Sequence, residues 1–298
     1  MSTALYHCSE HLDETKLSPM LDVCVICGGQ FANPPIARIQ QSPDVFLLGC
    51  PNCHACTASR MPTADALTEY YANYFRPAAP KITHDSPVRF ARHISSFICE
   101  PKPQLVIADF GGGDGTLAYS LAQILCDSSC LSAEITVVDY AEPLVSRDER
   151  IAIHTARPGS PIPQSDIILA SAVLEHLPEP FSSLMQLLTA LKPSGILYVR
   201  TPAVAGFMRL AGAFNLRLDF TFPAHLHDFG QQFWENVMSV IPNGREFEIV
   251  HSAPSLVETS FRQHPWHTLA AYVAKAPWRL FGRMYVLVGG WEIVFRRK

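Results

Sequence analysis

Apolar positions along this chain follow two rhythms, and the switches between them mark most of its elements. From Gln104 onward, short unbroken apolar runs are each followed by a stretch with helical spacing. "LVIADF" reads as a buried strand and "GTLAYSLAQIL" as a helix; "AEITVVDY" reads as a strand and "AEPLVSRD" as a short helix. "RIAIH" is a third strand and "SDIILAS" a fourth, followed by the helix "FSSLMQLLTALK" and the strand "GILYVRTP". Strands without polar alternation are those covered on both faces, and strand–helix alternation builds parallel βαβ units. The predicted fold is therefore α/β, with a parallel sheet covered on both faces. Residues 203–241 break the alternation with helical segments. "EFEIVHSA" and "GGWEIVFRRK" supply two late strands around a helical stretch, Trp266–Phe281, expected to pack on the sheet.

Upstream, "TADALTEYYANYF" reads as a helix with Thr63 as N-cap and Leu67, Tyr70, Tyr71 and Tyr74 on one face. "RPAAPKITHDSP" (Arg76–Pro87) is proline-rich and reads as a linker or substrate-facing loop, and "VRFARHISSFI" as a short helix. Residues 1–20 read as loosely ordered. The expected division is a small unit over 1–60 and a large one over 61–298.

Of the 298 residues, 48% are hydrophobic and 17% charged, enough for a sizeable core and too apolar for general disorder. The formal net charge of −4 argues against a protein that coats nucleic acid. No cationic start precedes an apolar run at the N-terminus, and no segment approaches the roughly 18 apolar residues of a membrane span. Four of the nine cysteines fall in C-x-x-C pairs, which suits reduced thiols and a cytoplasmic protein.

The strand "LVIADF" ends in a loop where four of the six residues after Asp109 are glycine. A glycine loop between a strand and a helix is where an open α/β sheet receives a nucleotide. A P-loop would need lysine after Gly115, where Thr116 stands. The dinucleotide fingerprint would need glycine at 116. The pattern that fits is D-x-G-x-G-x-G, with Asp109, Gly111, Gly113 and Gly115. Asp139 ends the second strand, where a carboxylate can accept from both hydroxyls of a ribose.

With these motifs in order, the segment from Val88 to Lys298 resembles a class I S-adenosylmethionine-dependent methyltransferase. The resemblance implies a Rossmann-like sheet, with Asp109 and the glycines against the methionine part of the cofactor and Asp139 holding its ribose. "SDIILASAVLEHLPEP" resembles the family's fourth-strand region, which puts Ser171 and Glu175 beside the cofactor. "LKPSGILYVRTP" resembles its fifth-strand motif. It also implies that the insertion near 203–241 covers the substrate. The sequence departs from the family at "HTARPGSPIP", where no acidic residue follows the third strand to hold the adenine amino group; Arg157 or backbone is left to shape that side.

"CVIC" and "CPNC" are separated by 22 residues. Two such turns bring Cys24, Cys27, Cys50 and Cys53 to one tetrahedral Zn²⁺, with Gly28 permitting the first knuckle. Four cysteine ligands leave no open position, so the zinc is expected to be structural. Cys56 and His54 are competing ligands. A zinc ribbon ahead of such a domain is similar to methyltransferases of cell-surface polysaccharide and sugar pathways, which implies a small-molecule or glycan acceptor.

Methyl transfer to a hydroxyl needs alignment and removal of a proton, and histidine suits that at neutral pH. His176 follows Glu175 in the "LEHL" turn. "PAHLHDF" offers His225 and His227, with Asp228 placed to orient an imidazole. "FMRLAGAFNLRLDFTF" reads as an amphipathic covering helix. The rival readings are an RNA or protein methyltransferase that uses the ribbon as a clamp, and a non-catalytic cofactor-binding module. "SAVL" stands where a motif for planar amino acceptors would lie.

Overall fold

The computed structural model describes residues 9–74, 85–99 and 102–298. Most of the linker Arg76–Pro87 lies outside them.

The small N-terminal unit contains β1 (Ala37–Gln40), β2 (Val45–Gly49) and β3 (Cys56–Ala58), then α1 (Ala64–Tyr74). Thr63 Oγ1 accepts from the Ala66 N–H at 3.3 Å, the capping role expected of it. Residues 9–20 are better anchored than the sequence suggests. Leu12 and Leu17 are buried, and the Gln40 side chain bonds both backbone groups of Leu12 at 2.9 Å. That tether joins residues far apart in sequence, so local composition does not announce it.

After α2 (Pro87–Ser95) come β4 (Gln104–Phe110), α3 (Thr116–Ser128), β5 (Ser132–Val138), β6 (Ile151–Ala156), β7 (Ser165–Ser171), α4 (Pro180–Thr189) and β8 (Leu191–Ala203). The expected helix "AEPLVSRD" is absent, and no helix lies between β5 and β6. Pro143 lacks a donor N–H, and eight residues cannot repay helix nucleation without packing. The chain then runs through α5 (Ala205–Ala213), β9 (His227–Asp228), α6 (Gln231–Val240), β10 (Phe247–Pro254), α7 (Pro265–Lys275), α8 (Trp278–Phe281) and β11 (Gly289–Arg297).

Seven strands form one twisted sheet in the order β10-β11-β8-β7-β4-β5-β6. β4 to β8 are mutually parallel, while β11 pairs antiparallel with β8 and β10. One face packs on α2 and α3 through Phe90, Leu121 and Ile135; the other packs on α4 and α6 through Leu187, Trp234 and Ile293. Fully burying side chains of this size stabilises the fold by about 1.5–3 kcal/mol each. The chain leaves β4 toward β5 and β6, then crosses back to β7 and β8. That reversal opens a crevice at the C-terminal ends of β4 and β7, where such sheets bind ligands.

A second sheet has the order β1-β2-β3-β9. Its last strand comes from the insertion, with Cys56 opposite Asp228 and Thr57 opposite His227. The Trp266–Phe281 stretch packs on the sheet only in part. Trp278 meets Trp291, but Trp266 and Leu280 are 79% and 84% exposed. No helix among the described residues is long and apolar enough to cross a membrane.

Candidate functional site

The crevice is floored by the glycine loop. Gly111, Gly113 and Gly115 have φ of +69°, +60° and +79°, a region closed to most side chains. Two of them are also packed tight. A Cβ on Gly111 would lie 2.4 Å from Val173 Cγ2, and one on Gly115 2.7 Å from Val137 Cγ2. Gly112, which the D-x-G-x-G-x-G pattern passes over, is equally constrained: its Cβ would lie 2.2 Å from Asp109 Cγ. The unbroken Gly-Gly-Gly run was its signal.

Asp109 lies beneath the loop, 1% exposed, and its Oδ2 has no hydrogen-bond partner. Burial, and then the charge of Asp139, pushes its carboxyl up to about 7. A carboxyl that holds its proton more tightly when folded stabilises the fold at low pH, and that contribution is lost as pH rises. The window runs from the unfolded value of 3.8 to the folded value of about 7. Asp109→Asn should therefore gain on wild type in Tm across that window and hold a constant lead above it. Thermal melts from about pH 4 to 8 test this; a difference independent of pH would contradict the burial argument.

Asp139 faces the loop. Its Oδ2 accepts from the Gly113 N–H at 2.8 Å, and its Oδ1 accepts from the N–H groups of Tyr140 at 2.6 Å and Ala141 at 3.0 Å. Three bonds leave one lone pair on Oδ2 for a ligand hydroxyl. Nearby, Arg157 Nη1 donates to the Tyr140 carbonyl at 3.4 Å.

Across the crevice, β7 ends at Ser171, whose Oγ accepts from Arg200 Nε at 3.0 Å. Ala172 then takes φ +58°, a conformation costly for alanine that no sequence feature announces. A short 3₁₀ turn, Leu174–His176, follows. Glu175 in that turn is 1% exposed, its Oε2 lacks a hydrogen-bond partner, and burial pushes its carboxyl up to about 8.

His176 Nδ1 lies 2.8 Å from the Ala224 carbonyl. A carbonyl only accepts, so Nδ1 carries a proton. Nε2 lies 3.9 Å from Glu175 Oε1. The same logic applies to His225, whose Nδ1 lies 3.1 Å from the Phe220 carbonyl. Burial lowers its imidazole to about 4, so it is neutral at physiological pH. The two rings are 5.0 Å apart, and one ligand-type atom each from Glu175, His176 and His225 lie within 4.8 Å of one another. The structure thus brings together the two ends of the chain's histidine chemistry.

His227 and Asp228 do not form the expected pair. They are neighbours on β9, and successive strand residues point to opposite faces. His227 Nδ1 accepts from Thr57 Oγ1 at 3.1 Å and its Nε2 donates to the Leu177 carbonyl at 3.0 Å. Both nitrogens are committed, and burial lowers the ring to about 4. Asp228 instead accepts from the Val204 N–H, and burial pushes it up to about 7. This dipeptide bolts the small unit to the turn after β7 and to the end of β8.

The four paired cysteines converge. Cys24 and Cys53 sulfurs are 3.6 Å apart, Cys27 and Cys50 sulfurs 3.5 Å, and all four lie within 4.8 Å. Sulfurs around a tetrahedral zinc, at bonds of about 2.3 Å, sit about 3.8 Å apart. Gly28 and His54 close the two knuckles at φ +69° and +62°, so the second knuckle manages without glycine. Hydrogen bonding from Cys53 lowers the Cys24 thiol, while Cys53 is raised. Cys56, the competing ligand, packs into the apolar cluster around Leu47 and Phe222. Between this unit and the insertion lies a cleft of about 460 Å³, lined by His54, Arg209, Asp228, Gln231 and Gln232 among others.

A family model described as a methyltransferase domain matches residues 82–250. No curated protein matches the chain significantly. Among solved structures, the plantazolicin methyltransferase BpumL in complex with SAH is 14% identical, covering 78% of this chain and 89% of its own, at a TM-score of 0.41. Coclaurine N-methyltransferase bound to N-methylheliamine and SAH is 12% identical over 74% of this chain and 73% of its own, at 0.43. The cyclase SpnF is 16% identical over 71% of this chain and 80% of its own, at 0.44.

Proposed function

Because the chain belongs to the methyltransferase-domain family, we propose that it moves a methyl group from S-adenosylmethionine to a hydroxyl of a sugar, glycan precursor or related small metabolite. The placement of His176 carries the hydroxyl reading: an imidazole oriented by its Nδ1 bond to the Ala224 carbonyl, in the turn after β7 beside the glycine loop.

When bound, S-adenosylmethionine supplies a methyl group on a sulfonium sulfur, open to in-line displacement. The chain's own residues bind, orient and move the proton. Gly111, Gly112, Gly113 and Gly115 let the ligand meet bare backbone, and their neighbour Asp109 offers an unpartnered oxygen. Asp139 has one lone pair left for a ribose hydroxyl. Ser171 and Glu175 line the opposite wall. An acceptor hydroxyl must give up its proton when it is methylated, and His176 Nε2 would take it, with His225 the second candidate. His227 and Asp228 act through position, by fixing the insertion.

Cys24, Cys27, Cys50 and Cys53 hold a structural zinc, a reading supported by their spacing, burial and sulfur separations. Thiols needed in reduced form fit a cytoplasmic setting. The cleft beside this unit has the volume of a small-molecule site, typically about 300–1,000 Å³, and Arg209 and Gln232 on its wall suit a hydroxyl-rich acceptor.

The test is a panel of acceptors with methyl-labelled cofactor: free and nucleotide-linked sugars, a hydroxylated small metabolite, RNA and a peptide. Label on an oxygen of a sugar or small metabolite is expected. Label only in RNA or peptide would replace the acceptor assignment, and binding without transfer to any member would favour a non-catalytic module.

A further inference from the structure

Arg200 lies near the C-terminal end of β8, on the sheet edge that carries the glycine loop, with only β7 between it and β4. Its side chain is 3% exposed. Nε donates to Ser171 Oγ at 3.0 Å and Nη1 to Glu258, but the buried Nη2 has no partner. Arg89 on α2 repeats the feature. Its Nη2 donates to the Val257 carbonyl and its Nη1 to the Tyr272 hydroxyl at 3.4 Å, while its buried Nε has no partner. Both guanidinium carbons lie 5.7 Å from the centre of the Phe90 ring.

A third cation, Lys275, enters from α7 and donates to Ser255. Burial, and then the charge of Arg200, lowers it to about 8. Few acids answer these cations. Glu258 bonds Arg200, Glu292 is held by His93, His251 and Tyr198, and Asp85 accepts from the Ser260 N–H; the buried Glu175 feels the charge of Arg200, but its Oε2 bonds nothing. Leaving a donor of a buried guanidinium unpaired is costly. A planar fork with an unused arm matches a carboxylate better than any neutral group.

We infer that Arg200, backed by Arg89, receives a carboxylate of a ligand lying across the sheet edge beside Ser171. The inference rests on the proposed use of that edge by cofactor and acceptor. The carboxylate belongs either to the amino-acid part of the cofactor or to an acidic acceptor.

Two nucleosides separate these sources from each other and from failure. S-adenosylhomocysteine carries the carboxylate; 5′-methylthioadenosine keeps the adenosine and lacks the amino acid. Each is titrated into wild type, Arg200→Gln and Arg200→Lys, with melting curves to show that the variants are folded. Should Arg200→Gln not fold, Arg200→Lys, which keeps the charge and loses the fork, is read the same way. If the cofactor carboxylate is held, the variant loses roughly 10- to 100-fold in affinity for S-adenosylhomocysteine and none for methylthioadenosine. If an acceptor carboxylate is held, both nucleosides bind as before. Glucuronate, added to protein saturated with S-adenosylhomocysteine, then binds wild type better than glucose does and loses that preference in the variant. Unchanged nucleoside affinities with no glucuronate preference in wild type, or one the variant keeps, overturn the inference while leaving the cofactor reading intact. Wild type that binds neither nucleoside sinks both.

Discussion

Replacing Cys24 with serine should strip the protein of its zinc and unfold the region around residues 21–60. Structural zinc contributes on the order of 10–16 kcal/mol of folding free energy in small zinc-binding peptides, comparable to the whole net stability of a domain. Here the consequence should spread. β3 pairs with β9, and β9 carries His227, which bonds the turn after β7. Loss of the metal should therefore loosen the insertion and lower turnover as well as Tm. Elemental analysis should find about one zinc per wild-type chain, the stoichiometry of a four-thiolate site, and none in Cys24→Ser or Cys53→Ser. Wild type prepared without chelator and free of metal, or a serine variant with an unchanged melt and protease resistance, would contradict this account of the unit.

The second large effect should fall on turnover alone. His176→Ala removes the Nε2 that takes the acceptor proton, so kcat should fall by roughly 10²–10⁴-fold with little change in cofactor affinity. His225→Ala should cost less, because burial lowers its imidazole to about 4, a weak base at neutral pH. His227→Ala should instead cost stability, since it removes the hydrogen bonds to Thr57 and Leu177. The comparison needs rate, cofactor affinity and Tm for each variant. Near-normal rates for His176→Ala with a hydroxyl acceptor would exclude it as the base, and positioning of an already reactive nucleophile would become the better mechanism.

What the sequence disclosed here was local. Period and length identified the strands of the large sheet, because doubly covered strands must be apolar throughout. The glycine loop and the cysteine pairs were legible because their chemistry depends on fixed spacing within a few residues. What escaped depends on contacts distant in the chain. β9 is two residues long and exists only because β3 lies beside it. The strand geometry that separates His227 from Asp228 could not be seen without that pairing. The tether of Leu12 to Gln40 crosses the same unit unseen. Ala172 and His54 adopt φ values usually advertised by glycine, and their side chains give no hint of it. Arg200 sits within the apolar strand "GILYVRTP", and nothing in that run shows which partners its buried guanidinium meets.

The central claim is that the glycine loop and Asp139 hold an adenosyl ligand. The most direct measurement is a calorimetric titration of S-adenosylhomocysteine into wild type and Asp139→Ala. Saturable binding of one ligand per chain is expected for wild type, weakened in the variant by roughly 1–3 kcal/mol, the cost of stranding buried polar partners. No saturable binding to wild type, or equal affinity in the two proteins, would contradict it.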